Sequence, residues 1–316
     1  MKSQYAELDP VLTELAIGYK NDAYVAPLML PFFEVSKQGG KHWIYDRSRF
    51  RTSVNFGRRA PGSASDRNDL TLTAGIPYFA EDHAESADVF DEDVDNARET
   101  NRDPFADVTE FLADKQLVNF ENEVATLLTT AGNWASGHSP SLTGGARWNV
   151  YATSDPIKDI RDGVKLVHSK LFVRPNRLLL PFEVFVVLKD HPAIMERVKY
   201  SQLGVATPEL LARVFEVNEV VIAGAGRNTS ARGQADTMSY IWGKNAILAY
   251  VNPANRDKDI TLGRTYQWAG KNRIVERLRG EDSEDKKKTI VRSGNWYYDP
   301  LIVCNEAGYA LRNVID

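Results

Sequence analysis

The chain has 316 residues, of which 43% are hydrophobic and 26% charged, with a net charge of −4. This is globular composition with material for two cores, and the acid excess argues against a protein devoted to gripping nucleic-acid phosphates. The single cysteine, Cys304, excludes an intrachain disulfide and suits a reducing cytoplasm. Residues 1–20 mix Glu7, Asp9 and Glu14 into their apolar positions, unlike a signal peptide. No apolar run approaches about 18 residues, so neither export nor a membrane span is expected.

Residues 1–38 read as an arm. Pro10 to Gly18 fits a short helix through Val11, Leu12, Leu15 and Ala16, whereas Pro27 and Pro31 forbid a central helix or central strand over 24–35. Tyr24, Val25, Leu28, Met29, Leu30, Phe32 and Phe33 are too apolar for water, so the arm should lie extended on its own core or a neighbour's. From Gly39 the residues alternate, with His42, Ile44 and Phe50 against Trp43, Tyr45, Arg47, Arg49 and Arg51; Leu70, Leu72 and Ala74 repeat the period. The pattern predicts a long two-stranded hairpin over 39–80 with a flexible tip, too poor in apolar residues to bury itself. Lys41, Arg47, Arg49, Arg51, Arg58, Arg59 and Arg67 make it basic. An acidic run follows, with Glu81, Asp82, Glu85, Asp88, Asp91, Glu92, Asp93, Asp95 and Glu99. Taken alone such a run is a solvated segment, but adjacent opposite patches also suit copies that meet head to tail.

Asp103 to Thr130 is the longest stretch with one helical period. Val108, Phe111, Leu112, Val118, Val124, Leu127 and Leu128 share a face, while Glu110, Asp114, Glu121 and Glu123 fall mostly off it. Asp103 is the expected N-cap and Pro104 the first helical residue. About 25 residues make a rod near 38 Å long. Residues 131–154 form a loop, 157–172 a helix, and 177–188 a buried strand interrupted at Pro181. Short helices start at Pro192 and Pro208, and strands are expected at 220–222 and 240–251. The remainder is sheet-like, in separate pieces at 265–268, 273–278, 289–292, 296–298, 301–304 and 309–314. There is no internal repeat, and the whole is α+β with two lobes.

Three near-motifs for catalysis fail on local context. Gly137 to Ser141 (GHSPS) approaches a nucleophile elbow around Ser139 but lacks its last glycine and its strand–helix setting. Val220 to Gly226 runs into a partial G-x-G-x-x-G whose sixth position is Thr229, followed by a strand pattern where a phosphate-binding helix should start. Gly39-Gly40-Lys41-His42 lacks the remaining residues of a Walker loop. His42, His83, His138, His168 and His191 show no zinc spacing. His83 beside Glu81, Asp82 and Glu85 leaves a divalent ion open, without the spacing of a calcium loop. Trp43, Tyr45, Phe50 and Phe56 interleave with arginines as a single-strand binder would, but the acidic run next in sequence favours docking to a protein surface. No catalytic, cofactor or metal residue is named.

The order of apolar arm, basic two-stranded loop, acidic run, long helix, second lobe and terminal strands resembles the major capsid proteins of tailed bacteriophages. The arm from Leu12 to Asn21, through Pro31 and Val35 to Gly39-Gly40-Lys41, resembles the opening of that family. The resemblance implies the Hong Kong 97-type fold: an N-terminal arm (1–38), an extended loop (39–80), a peripheral domain (81–155) with a spine helix at 104–130, an axial domain (156–264), and terminal strands (265–316) that rejoin the peripheral domain. It further implies self-assembly into pentamers and hexamers of an icosahedral shell around double-stranded DNA held only non-specifically. A separate scaffolding protein, a portal and a decoration protein are the partners implied, without a membrane or a cofactor; the place is the virion, assembled in the bacterial cytoplasm. The extended loop carries only Lys41, at its base, so lysine-to-asparagine crosslinking is not expected. Arg47, Arg49, Arg58 and Arg59 of one copy are expected to face Asp88, Asp91, Glu92 and Asp93 of the next. A protein-cargo nanocompartment of the same fold, or less readily a hydrolase or nucleotide-binding enzyme, are the alternatives.

Overall fold

The computed structural model describes residues 5–19, 21–45, 52, 56, 58–65, 67, 72–100, 102–199, 207–231, 233–256, 259–279 and 286–316. Strand β1 (Tyr5–Leu8) leads into helix α1 (Pro10–Gly18). Asp9 fixes that helix start: one carboxylate oxygen accepts the amides of Val11 and Leu12 at 3.1 and 3.0 Å, and the other pairs with Arg277 at 2.5 Å. The two prolines that follow shape the rest of the arm, confining α2 (Ala26–Met29) to one turn and placing β2 (Phe32–Val35) at a sheet edge. The hairpin is present as β3 (Gly39–Tyr45) and β4 (Leu72–Phe79), antiparallel from Gly39 opposite Phe79 to Tyr45 opposite Leu72.

The acidic run is more ordered than its charge suggests. It forms β5 (Glu81–Phe90), then α3 (Asp91–Thr100). His83, Glu85, Ala87 and Val89 are the less exposed positions of β5 and alternate with exposed Asp82, Ala84, Ser86 and Asp88. The period-two pattern of a strand was there, hidden because two of its inward positions are polar. Helix α4 (Pro104–Thr129) begins at Asp103, whose carboxylate accepts the amide of Phe105 at 3.0 Å. Its 26 residues span about 39 Å. The buried face is rotated from the expected one. Phe111 is 60% exposed, whereas Gln116, Phe120 and Glu121 are buried with Leu112, Val124 and Leu128.

The second half contains α5 (Pro156–Leu171), β6 (Arg177–Pro181), α6 (Phe182–Lys189), α7 (Pro192–Val198), α8 (Pro208–Phe215), β7 (Glu219–Ala223), β8 (Gly226–Asn228), β9 (Met238–Tyr240), β10 (Ala246–Ala249), β11 (Gly263–Trp268), β12 (Ile274–Arg279), β13 (Lys288–Ile302) and β14 (Gly308–Leu311). Residues 182–188 are helix rather than the expected strand. Pro181 ends the strand, and Val184 and Leu188, four apart, bury one stripe while Phe182 and Val186 face out. The three pieces expected between 289 and 304 are mostly one strand, β13, because the turn-like Gly294-Asn295 is a bulge between Ser293 and Trp296 in its pairing with β5.

Two sheets organise these elements. The larger runs β1-β12-β13-β11-β2, with β5 on the other edge of β13; the smaller runs β14-β10-β6-β7. The last strand, β14, therefore belongs to the smaller sheet. One apolar core joins α2, α4 and residues of both sheets, including Phe120, Leu128, Leu179, Trp242, Ile247, Trp296 and Tyr298. A second packs α5 to α8 on the smaller sheet, and a third seats α1 against α4 and the larger sheet.

Candidate assembly surface

The root of the β3–β4 hairpin is tied down on three sides. The ring of Tyr78 stacks on Tyr266 at 4.5 Å and 6°, and His42 tilts onto the same ring at 5.9 Å. Gly40 permits this: a Cβ there would lie 2.6 Å from the Tyr78 hydroxyl. The Phe79 amide donates to Asp299 at 2.9 Å, the Ala80 amide donates to the Gln38 carbonyl at 2.9 Å, and Gln38 Nε2 donates back to the Ala80 carbonyl at 3.0 Å. The same root offers apolar surface to solvent, with Ile76 43% and Phe79 57% exposed.

A cleft of about 370 Å³ at this root collects Glu81, His83, Glu123, Tyr298 and Asp299. His83 stacks on Tyr298 at 3.8 Å and its Nε2 lies 3.9 Å from Glu123. Burial pushes the Glu123 carboxyl above its ordinary range, and His83 and the Tyr298 hydroxyl draw it partly back. Burial likewise raises Asp299 against the pull of the Phe79 amide. Among the described residues no group of three or more His, Cys, Asp and Glu side chains is arranged to hold a metal ion.

The acids beyond the root divide into two sets. Asp88 pairs with Lys288 at 2.5 Å, Asp91 with Arg279 at 2.8 Å, and Glu85 with Lys115 at 2.9 Å, all within the chain. Glu92 and Asp93 are exposed in the first turn of α3. Arg58 and Arg59 are exposed in the segment between β3 and β4. No ion pair joins either arginine to this chain's own acids among the described residues. Arg47 and Arg49 lie outside the described residues.

The arm crosses α4 and is fastened by acids of that helix. Tyr19, Asn21 and Tyr24 donate to Asp114 Oδ1 at 3.2, 3.1 and 3.0 Å, and the amides of Val25 and Ala26 donate to Glu121 at 3.1 and 2.7 Å. Further along, β2 pairs with β11 in parallel, and Phe32 stacks on Phe120 at 5.2 Å. Asp114 and Glu121 were legible only as polar residues off the apolar face. Their spacing of seven, which puts both on one side of a helix, was the signal available for a shared partner.

No protein-family model matches the chain. The major capsid protein of Burkholderia phage BcepMu is 29% identical over 314 residues, which is 97% of this chain and 96% of the relative. The crystal structure of a phage-related protein from Bordetella bronchiseptica covers 98% of this chain and 99% of its own, at 26% identity and a TM-score of 0.77. The mature capsid subunit of bacteriophage PhiM1 shares the fold at 14% identity and a TM-score of 0.55, over 93% of this chain and 88% of its own.

The chain is similar along nearly its whole length to a phage major capsid protein. It has the Hong Kong 97-type fold. Within that capsid fold the near-motifs for catalysis have structural uses. Val220 to Ala223 lies in strand β7 and Gly226 opens strand β8, so Gly224 to Gly226 leads into a strand and not into a helix. Gly39 and Gly40 lie in β3. Ser154 Oγ lies 3.0 Å from His191 Nε2, but His191 Nδ1 accepts the Ala193 amide at 3.2 Å, which leaves the ring proton on Nε2. That nitrogen donates to Ser154, whose hydroxyl donates onward to the Val150 carbonyl at 2.8 Å. His191 therefore caps α7 and offers Ser154 no base. Among the described residues no helix is long and apolar enough to cross a membrane.

Proposed function

We propose that this chain is the shell subunit of a phage head, many copies of which close through heterologous contacts into pentamers and hexamers around double-stranded DNA. The observation that carries this reading is the end-to-end kinship with a phage major capsid protein, on a fold shared with a mature capsid. The hairpin supplies the physical motive. Its root is fastened, the described residues between its strands (52, 56, 58–65 and 67) are exposed, and a neighbour's surface would provide the missing burial. In this reading residues 1–38 are the arm, 39–80 the extended loop, 81–155 with 265–316 the peripheral domain, and 156–264 the axial domain, except that β14 at the end of 265–316 pairs with β10 of the axial span. A separate scaffolding protein, a portal and a decoration protein are the expected partners, and the assembled form resides in the virion after assembly in the host cytoplasm.

For the contact between copies, Arg58 and Arg59, together with Arg47 and Arg49, would meet the surface of Asp88, Asp91, Glu92 and Asp93. Glu92 and Asp93 would be the principal acceptors, because Asp88 and Asp91 already have partners in their own chain. Each exposed pair contributes only about 0.2–1 kcal/mol, so repetition around the shell, rather than any one pair, would set orientation. Negative-stain microscopy of purified protein tests the function: hollow particles are expected, and a species that stays monomeric under all scaffold and salt conditions overturns it. Particles that copurify with an enzyme in place of DNA would move the chain to the nanocompartment class. Reversing Arg58 and Arg59 to glutamate tests the contact, with weaker assembly and a changed salt dependence expected; assembly unaltered in both respects removes that pairing.

A further inference from the structure

Glu121 is fully buried in the middle of α4, and its two oxygens accept three donors from two separate parts of the chain. Oε1 takes the Val25 amide at 3.1 Å and the indole Nε1 of Trp242 at 2.5 Å; Oε2 takes the Ala26 amide at 2.7 Å. No ion pair neutralises this carboxylate among the described residues. The Val25 and Ala26 amides stand at the start of α2, where Val25 provides no side-chain cap, so Glu121 caps that helix from another element. Trp242, 1% exposed, sits in the tight connection between β9 and β10, which Gly243 closes with φ of +58°. Its neighbours Met238, Tyr240, Gly243 and Lys244 line an open groove of about 560 Å³, and Met238 is 70% exposed.

We infer that Glu121 is a clamp that couples the seat of the arm at Val25–Ala26 to the Trp242 turn of the other lobe, so that the two are held or released together. A buried carboxylate without a cation is stable only while its donors compensate the water it has lost. Removing the indole N–H leaves that cost on two amides, and the side chain then gains by reaching solvent, which deprives the arm of its acceptor. The dependence runs equally in the other direction, since coupling between two equilibria is reciprocal. A contact that remodels the groove around Tyr240 and Lys244 is thereby registered at the arm.

Native-state hydrogen exchange on the dissociated full chain tests the coupling without requiring assembly. Trp242→Phe keeps an aromatic ring and removes the donor, together with part of the buried volume. It should speed exchange at the Val25 and Ala26 amides roughly ten- to hundredfold, the worth of a hydrogen bond to a charged group, while the amides of β10 keep their protection. Unchanged exchange at Val25 and Ala26 in a folded Trp242→Phe overturns the clamp. Should that variant fail to fold, the unmodified chain decides: the Trp242 indole and the two arm amides should open in one step with the same denaturant dependence, and opening in separate steps refutes the coupling.

Discussion

Replacing Phe120 by alanine should destabilise this chain more than almost any other single truncation. The side chain is 1% exposed, and its ring lies 5.2 Å from Phe32, 5.7 Å from Trp296 and 5.1 Å edge-on from Tyr298. Truncation of a core phenylalanine costs about 3–5 kcal/mol, the larger values arising where neighbours cannot collapse into the space. Here the neighbours are rings fixed on β2 and β13, and the alanine Cβ would be carried by a stiff helix, so about 4 kcal/mol or more is expected. Against a total of about 5–15 kcal/mol, that is a large share of the fold's stability. Urea unfolding of the full chain followed by circular dichroism gives the loss, with Phe120→Leu as the control that retains most of the volume and should cost about 1–2 kcal/mol. A loss below about 1 kcal/mol for alanine, or equal losses for the two variants, would show that the arm is not seated on α4 through this cluster.

Gly263→Ala would place a methyl 2.5 Å from both the Leu301 carbonyl oxygen and Leu30 Cδ2; a loss of about 1–3 kcal/mol is expected, and an unshifted thermal midpoint would contradict it. Asp103→Ala should cost about 1 kcal/mol by removing the α4 cap, and Asp103→Asn should restore most of it in the same melts. Burial, opposed by the Ala26, Trp242 and Val25 donors, holds Glu121 above the ordinary glutamate range. The folded state then binds this proton more tightly than the unfolded state, so the contribution to stability is present at acid pH. It declines as pH rises from the ordinary glutamate value through the raised one. Subtracting the stability–pH curve of Glu121→Gln from that of the native chain should expose this fall, and a difference that rises over the same interval would refute the assignment.

The helix at 104–129 was legible because its start signals and its length need no tertiary information: Asp103 and Pro104 act locally, and the apolar period runs for seven turns. Its buried face was less legible. Hydrophobicity selected Phe111, whereas the arm and the sheet recruited Gln116 and Glu121 through hydrogen bonds to Ser293 and to the arm, which no periodicity reveals. The same limit hid β5, whose strand character depends on β13 offering an edge more than 190 residues later. In residues 182–188 an apolar run satisfied strand and helix alike, and Pro181 marked the change of structure without declaring its direction. The basic hairpin and the acid run could be seen in sequence, but not that Asp88 and Asp91 would be matched within their own chain by Lys288 and Arg279.

The larger sheet also constrains how the chain must be made. β1 pairs with β12, and β2 with β11, so residues 5–8 and 32–35 find their strand partners among residues 265–279. A ribosome has released most of the polypeptide before either pair can form. Until then the apolar residues 24–33 have no sheet to join, and the nascent arm is a sticky segment in a crowded cell. Non-local pairing of this kind is slow to form, so newly synthesised subunits should pass through a state with the arm unseated, in which a chaperone or another unfinished copy competes for it.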